Sequence, residues 1–238
     1  MSTDKYSVLL PTFNERENLP YVIFFLDEAF QAAQADYEVI IIDDASPDGT
    51  LQVAKALQAS YGAEKIILRP RERKAGLGSA YMHGATHATG NFIIILDADL
   101  SHHPKYIPQF IEKQRQTKCD VVTGTRYVPN GGVYGWTFRR KLVSRVANYL
   151  AHIVLRPGVS DLTGSFRLYK ATSFQTIMHH MEATGYVFQM EIIVRAKRMG
   201  LDVREVPITF VDRLFGESKM GADEIIQYLI QLWRLVWV

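Results

Sequence analysis

Residues 92–99 read Phe92-Ile93-Ile94-Ile95-Leu96-Asp97-Ala98-Asp99, an unbroken apolar run that stops on two carboxylates. Three isoleucines favour a strand, and the lack of any polar break predicts one buried on both faces. Such strands belong to parallel sheets covered by helices above and below. Because strand side chains alternate, Asp97 and Asp99 are expected to point the same way at the strand's C-terminal edge. Two like charges in apolar surroundings are costly unless a cation stands between them. One reading is a hard, oxygen-liganded divalent metal; the plainer one is a solvated acidic turn.

The same pattern recurs along the chain. Residues 6–11 read as a first strand closed by Pro11. Asn18 is the expected cap of a helix with Pro20 in its first turn. Residues 37–44 are a second apolar strand ending in Asp43 and Asp44, and a helix over 50–60 ends at Gly62. A short strand at 65–68, a helix at 77–88, the Asp97 strand, a helix at 104–116 and a strand at 120–126 follow. Alternation with such short connections predicts an α/β, Rossmann-like, mostly parallel sheet with helices on both faces. Its strand ends should bring Asp43/Asp44, Asp97/Asp99 and Arg126 to one rim, where ligands bind in open sheets. Beyond Gly132 the alternation weakens: a long helix over 137–155, a short strand at 165–169, a helix at 187–199, an alternating stretch at 203–211 and an apolar helical tail from Ala222. One domain over 1–238 is expected, a strand–helix half at 1–126 with an appended C-terminal portion at 127–238.

Composition narrows the function classes. The 238 residues carry 47% hydrophobic and 22% charged side chains, ordinary for a globular protein. A net charge of +2 gives no general case for nucleic acid. The single cysteine, Cys119, allows no intrachain disulfide. The polar N-terminus does not read as a signal peptide, and no apolar run reaches the ~20 residues that span a bilayer.

Leu10-Pro11-Thr12-Phe13-Asn14-Glu15, then Asp43-Asp44-Ala45-Ser46-Pro47-Asp48-Gly49-Thr50, then Asp97-Ala98-Asp99 stand in order at three strand ends. That set resembles the nucleotide-sugar half of the inverting family 2 glycosyltransferases with a GT-A fold. Gly124-Thr125-Arg126, Gly132-Val133-Tyr134-Gly135, Asp161-Leu162-Thr163-Gly164-Ser165-Phe166-Arg167 and Arg213-Leu214-Phe215-Gly216-Glu217-Ser218-Lys219 narrow the likeness. Over nearly the whole chain it is similar to dolichol-phosphate mannosyltransferase catalytic subunits of the eukaryotic type that lacks its own membrane span.

The resemblance implies metal-dependent transfer of mannose from GDP-mannose to dolichyl phosphate, giving β-linked dolichyl mannosyl phosphate and GDP. It implies Mg2+ or Mn2+ on Asp99, with Asp97 and, weakly, Ser101. It implies a donor site of Pro11, Phe13, Glu15, Ile42, Asp44, Asp97, Ala98, Asp99, Arg126, Arg213 and Lys219. Arg126, Arg140 and Ser144 would hold the lipid phosphate, and Asp99, Arg126 and Arg213 would carry the chemistry. Small transmembrane partner subunits and a peripheral place on the cytosolic face of the endoplasmic reticulum are implied in the same way. Two alternatives stay open: a UDP-glucose-dependent enzyme acting on the same lipid, and a non-catalytic nucleotide-sugar-binding scaffold.

Read as residues alone, Arg140 and Ser144 are four apart on a helix and face one way, but with Arg139, Lys141 and Arg145 beside them they also read as a solvated basic face. Arg213 and Lys219 flank a turn that reads as a mobile lid. Adjacent His102 and His103 lack metal-site spacing and are expected at the surface. Residues 69–74 are expected to be a solvated basic loop rather than a nucleic-acid contact, with a place near the diphosphate as the other reading, and Gly76-Leu77-Gly78-Ser79-Ala80-Tyr81 lacks the third glycine of a dinucleotide fingerprint. Glu191 is either an acceptor-side acid or structural. A phosphate monoester is already ionised near neutral pH, so no general base is required. The tail residues Trp233 to Val238 suit a membrane interface or a partner helix.

Overall fold

The computed structural model describes residues 4–155, 158–182, 185 and 187–213. Lys219, the 214–219 part of the expected lid and the apolar tail lie outside the described residues.

In chain order the elements are β1 (Lys5–Thr12), α1 (Leu19–Ala33), β2 (Asp36–Asp43), α2 (Thr50–Tyr61), β3 (Ile66–Leu68), α3 (Leu77–Ala85), β4 (Phe92–Ile95), α4 (Ile107–Thr117), β5 (Val121–Thr125), β6 (Gly132–Tyr134), α5 (Phe138–Leu155), β7 (Arg167–Lys170), α6 (Ala171–Met178), α7 (Phe188–Arg198), β8 (Val203–Pro207) and β9 (Thr209–Val211). A 3-10 turn, Pro104–Tyr106, leads into α4. Seven strands form one sheet in the order β3-β2-β1-β4-β7-β5-β8. Every pairing in it is parallel except those of β7, which runs antiparallel to both β4 and β5. A second, two-stranded sheet joins β6 to β9.

The period-2 rule sorts the strand residues between two cores. Tyr6, Val8 and Leu10 of β1 pack with Ile94 of β4 against α1 and α4, where Leu26, Phe30 and Phe110 are buried. Leu9 faces the other way with Ile93 and Ile95, against Tyr81 of α3 and Phe188 and Ile192 of α7. Both faces are therefore covered, which explains why these strands carry no polar alternation.

Four local expectations are corrected. Pro11 does not close β1, which runs to Thr12 with Pro11 opposite Ile42. On its other side the β4 pairing has already stopped at Leu9 and Ile95, so the missing N–H leaves no ladder bond unmade. Asn18 makes no side-chain cap to α1; its amide instead donates to Glu15 Oε2 at 2.7 Å. The alternating stretch 203–211 is two strands in two sheets, and the strand expected at 165–169 is the antiparallel insert β7. Finally, β4 ends at Ile95, so Asp97 and Asp99 are not strand neighbours sharing one face. They sit in a turn, followed by Leu100 at φ +61°.

Candidate active site

The strand order reverses between β1 and β4, and the C-terminal ends of β2, β1, β4 and β5 share one rim. On the β1–β2 side, Asp43 is buried and organises the loop, accepting from Thr12 Oγ1 (3.1 Å) and from the Ser46 N–H and hydroxyl (3.1 and 2.6 Å). Asp44 turns toward Arg71, whose Nε lies 2.8 Å from Oδ1 and whose Nη2 reaches Oδ2 at 3.4 Å. Burial raises the Asp44 pKa, and the Arg71 charge only partly offsets that rise. The ammonium of Lys74 stands 4.3 Å from the centre of the Phe13 ring. The basic loop expected to be solvated therefore contributes two side chains to the rim, because Arg71 N–H extends the β2 edge by donating to Asp43 O at 2.8 Å. Glu15 is bound to the start of α1 through Asn18, and its N–H donates to Thr50 Oγ1 at 3.0 Å. Ile42 and Ala98 are buried, and Pro11 is half-buried.

At the end of β4 the two acids have different partners. Asp97 Oδ2 accepts from Ser165 Oγ at 2.5 Å and lies 3.4 Å from His102 Nδ1. Desolvation would raise the Asp97 pKa, but His102 and Ser165 outweigh it and hold the carboxyl below its ordinary value. His102, expected at the surface, is buried, with its ring edge-on to Phe210 at 5.0 Å. His103 is half-buried and caps the following turn, accepting from Lys105 N–H at 3.2 Å. Asp99 Oδ1 accepts from Ser101 N–H at 3.0 Å, while Oδ2 lies 3.2 Å from Arg213 Nη2.

Do these residues suit a divalent cation? Ser101 Oγ is buried and has no hydrogen-bond partner among the described residues; a cation or its water would supply one. Two carboxylates and a hydroxyl are all hard oxygen donors. Among the described residues no group of three or more His, Cys, Asp or Glu gathers as a metal cluster. The donors gathered at this turn are those two carboxylates and that hydroxyl.

At the end of β5, Arg126 is buried and forks onto Asp161: Nε to Oδ2 at 2.6 Å and Nη2 to Oδ1 at 2.7 Å, with Thr163 Oγ1 also taking Nη2 at 2.6 Å. Burial alone would raise the Asp161 pKa, but the guanidinium beside it holds the carboxyl below the usual range. That commitment leaves Nη1 for a ligand. Trp136 stacks between two arginines, 5.9 Å from Arg126 and 4.3 Å from Arg140. Arg140 Nη1 lies 3.2 and 3.3 Å from the two oxygens of Asp212. Ser144, one turn on, shares a hydrogen bond of 2.8 Å with Tyr127 Oη. A cleft of about 600 Å³ opens here, lined by Arg126, Tyr127, Trp136, Lys141 and Arg145. Arg126 also feels the Asp97 charge, so the β4 and β5 ends act on one another. Glu191 takes the structural reading: it is buried and accepts from Arg195 Nε at 2.6 Å.

Asp44, Asp97, Asp99, Arg126, Arg140, Ser144 and Arg213 thus occupy one rim. Sequence reasoning missed His102, Trp136, Asp161 and Ser165 as parts of it. Only the Asp161–Arg167 motif offered a signal. Its Arg167, fully buried, donates to Gln189 O (2.7 Å), Leu162 O (3.1 Å) and Thr123 Oγ1 (3.2 Å), fixing the loop that carries Asp161 and Ser165.

The family description "Glycosyl transferase family 2" matches residues 7–178. The chain is 38% identical over 236 residues to a dolichol-phosphate mannosyltransferase of Pyrococcus furiosus, covering 98% of this chain and 64% of that protein. It thus spans a little under two thirds of that relative's length. It is 34% identical over 227 residues to a polyprenol monophosphomannose synthase of Mycolicibacterium smegmatis, covering 94% of this chain and 83% of that one. Among solved structures, glucosyl-3-phosphoglycerate synthase of Mycobacterium tuberculosis superposes with a TM-score of 0.71 at 19% identity, covering 98% and 80% of the two chains. A complex of that enzyme with Mn2+, UDP and glucosyl-3-phosphoglycerate matches at a TM-score of 0.70 and 18% identity, covering 98% and 79%.

Proposed function

Since this chain belongs to glycosyltransferase family 2, with the GT-A type of sheet described above, we propose that it transfers mannose from GDP-mannose to dolichyl phosphate, releasing GDP. The observation that carries the reading is the meeting, at one rim, of the Asp97–Asp99 turn with the arginine pair around Trp136, joined by the Arg213–Asp99 contact. The names of the two relatives support mannosyl transfer to a polyprenol phosphate. The donor would lie over the ends of β1 and β2, its base near Phe13 and its ribose near Asp44. Pro11, Glu15, Ile42 and Ala98 would wall that pocket, and Lys219 would join Arg213 on the diphosphate.

The reaction asks little proton chemistry of the protein. An ionised oxygen of the lipid phosphate attacks the anomeric carbon and forms the new C–O bond. The bond from that carbon to the β-phosphate breaks, its electron pair leaving with the diphosphate, and the sugar inverts to the β-anomer. Arg126 Nη1, Arg140 and Ser144 would gather the incoming phosphate. Arg matches its oxygens with a planar fork of donors and offsets the repulsion between two anionic groups. Arg213 would follow the charge that grows on the departing diphosphate. A bound Mg2+ or Mn2+ would supply Lewis-acid stabilisation of that leaving group, held by Asp99 with Asp97 and Ser101. The Mn2+ complex of the structural neighbour supports a divalent ion.

Dolichyl phosphate lies in a bilayer, whereas among the described residues no helix is long and apolar enough to cross one. The surface proposed to meet the membrane is α5, which exposes Leu142, Val146, Tyr149, Leu150 and Ile153 beside basic Lys141 and Arg145. Contact through Trp233 to Val238, small transmembrane partner subunits and a place at the endoplasmic reticulum belong to the same proposal. A transfer assay offering GDP-mannose and UDP-glucose side by side, with and without chelator, tests it. Mannose should appear on dolichyl phosphate, and the chelator should abolish it. Transfer of glucose instead, or no transfer with either donor, overturns the reading.

A further inference from the structure

Asp212 and Arg213 are consecutive, opposite in charge, and each already pairs with a residue that a substrate needs. Arg213 Nη2 lies 3.2 Å from Asp99 Oδ2, at the carboxylate expected to face the cation. Both oxygens of Asp212 lie on Arg140 Nη1, at 3.2 and 3.3 Å, where the acceptor phosphate is expected. The backbone explains how one dipeptide reaches both places. Asp212 N–H donates to Tyr134 O at 3.1 Å, which fastens it to the end of β6. Gly135, at φ +86°, leaves room there: a Cβ on it would stand 2.9 Å from Asp212 Cβ. Arg213 N–H donates to Asp212 Oδ1 at 3.2 Å, so the carboxylate is bound to the backbone that carries the arginine.

We propose that Asp212 is a specificity-determining residue: its carboxylate stands in for the acceptor phosphate on Arg140, and Arg213 couples its release to arrival of the donor. The inference rests on the functional reading above. With a cation held at Asp99, the Arg213 guanidinium would be repelled from that carboxylate and drawn toward the donor diphosphate. Moving that residue draws Asp212 away from Arg140. The Arg140–Asp212 pair is about 36% and 42% exposed, so it is screened and displaceable. A phosphate monoester, carrying close to two charges at neutral pH, outcompetes a carboxylate there. A singly charged phosphodiester, the commoner lipid head, gains far less. The site therefore stays closed to ordinary phospholipids and opens to a phosphomonoester once the donor is seated.

Calorimetric titration of farnesyl phosphate into the full chain, with and without GDP and Mn2+, tests the coupling. In the wild type, GDP and Mn2+ should tighten binding by about 5-fold or more, the low end of ordinary site coupling. In Asp212→Asn, and in Asp212→Ser as a second variant, farnesyl phosphate should bind tightly without GDP, the coupling should fall below about 2-fold, and dimethyl phosphate should become a competitor. The proposal is overturned if the wild type binds farnesyl phosphate equally with and without GDP and Mn2+, an outcome that needs no variant. It is also overturned if both substitutions leave the coupling intact or weaken acceptor binding. Wild-type transfer of mannose from GDP-mannose to dolichyl phosphate is run alongside. Loss of that transfer sinks the functional reading, whereas transfer without coupling sinks only this inference.

Discussion

Arg126 and Asp161 are 35 positions apart and almost wholly buried, and each depends on the other for its charge. The sign of the linkage follows from the lowered Asp161 pKa. A carboxylate depressed below its unfolded value of ~3.9 stabilises the fold above that pH and loses the contribution as pH falls through the folded value. Asp161→Asn leaves a buried guanidinium without its counter-charge and should cost about 3–5 kcal/mol at pH 7. Urea melts at pH 7 and near pH 3 should show the gap between wild type and variant narrowing in acid; an unchanged gap would refute the assignment. At this scale the acids Asp44, Asp97 and Asp99 were legible because each follows an apolar strand, and Arg126 because it follows a strand as well. The Asp161 and Trp136 contacts were not. Their meaning lies in a partner that only the tertiary fold brings near, and no local spacing encodes it.

Elements read from periodicity fared by how much they depend on neighbours. Strands β1, β2, β4 and β5 were legible as apolar runs because both faces are covered. The antiparallel course of β7 was not, since strand direction is a property of the connection and not of the residues. The helix over 137–155 was legible too, but its sequence did not say that Leu142, Val146 and Ile153 would remain outside the cores. If that face meets lipid, Val146→Glu with Ile153→Glu should cut sedimentation with anionic vesicles by about tenfold or more, given ~+2.5–3.5 kcal/mol per charged residue at full membrane depth and less near the interface. Thermal stability should hardly change. Equal sedimentation of variant and wild type would remove α5 as the membrane surface.

Across the whole molecule, on the functional reading proposed above, donor and acceptor functions divide along the sheet. The β3-β2-β1 side carries Phe13, Asp44 and Arg71, and the β5 side with α5 carries Arg126, Arg140 and Ser144. The division makes a kinetic forecast. Arg140→Ala should raise KM for dolichyl phosphate by about tenfold, the scale of one charged hydrogen bond, and change KM for GDP-mannose much less. Equal effects on both would place Arg140 elsewhere. The convergence on one rim was legible from strand–helix alternation, while the tie between halves through Asp212 and Arg213 needed coordinates.

The excursion that carries β6 and α5 leaves the sheet from β5 and comes back in β7, its immediate neighbour, with Thr123 opposite Arg167. Its two ends are side by side, like the posts of a gate. Loops hung between them can be lengthened, shortened or exchanged without shifting the register of the seven-stranded sheet. On the functional reading proposed above, a fold wired this way can trade one recipient of its sugar for another over evolutionary time while the residues proposed to hold the nucleotide stay as they were.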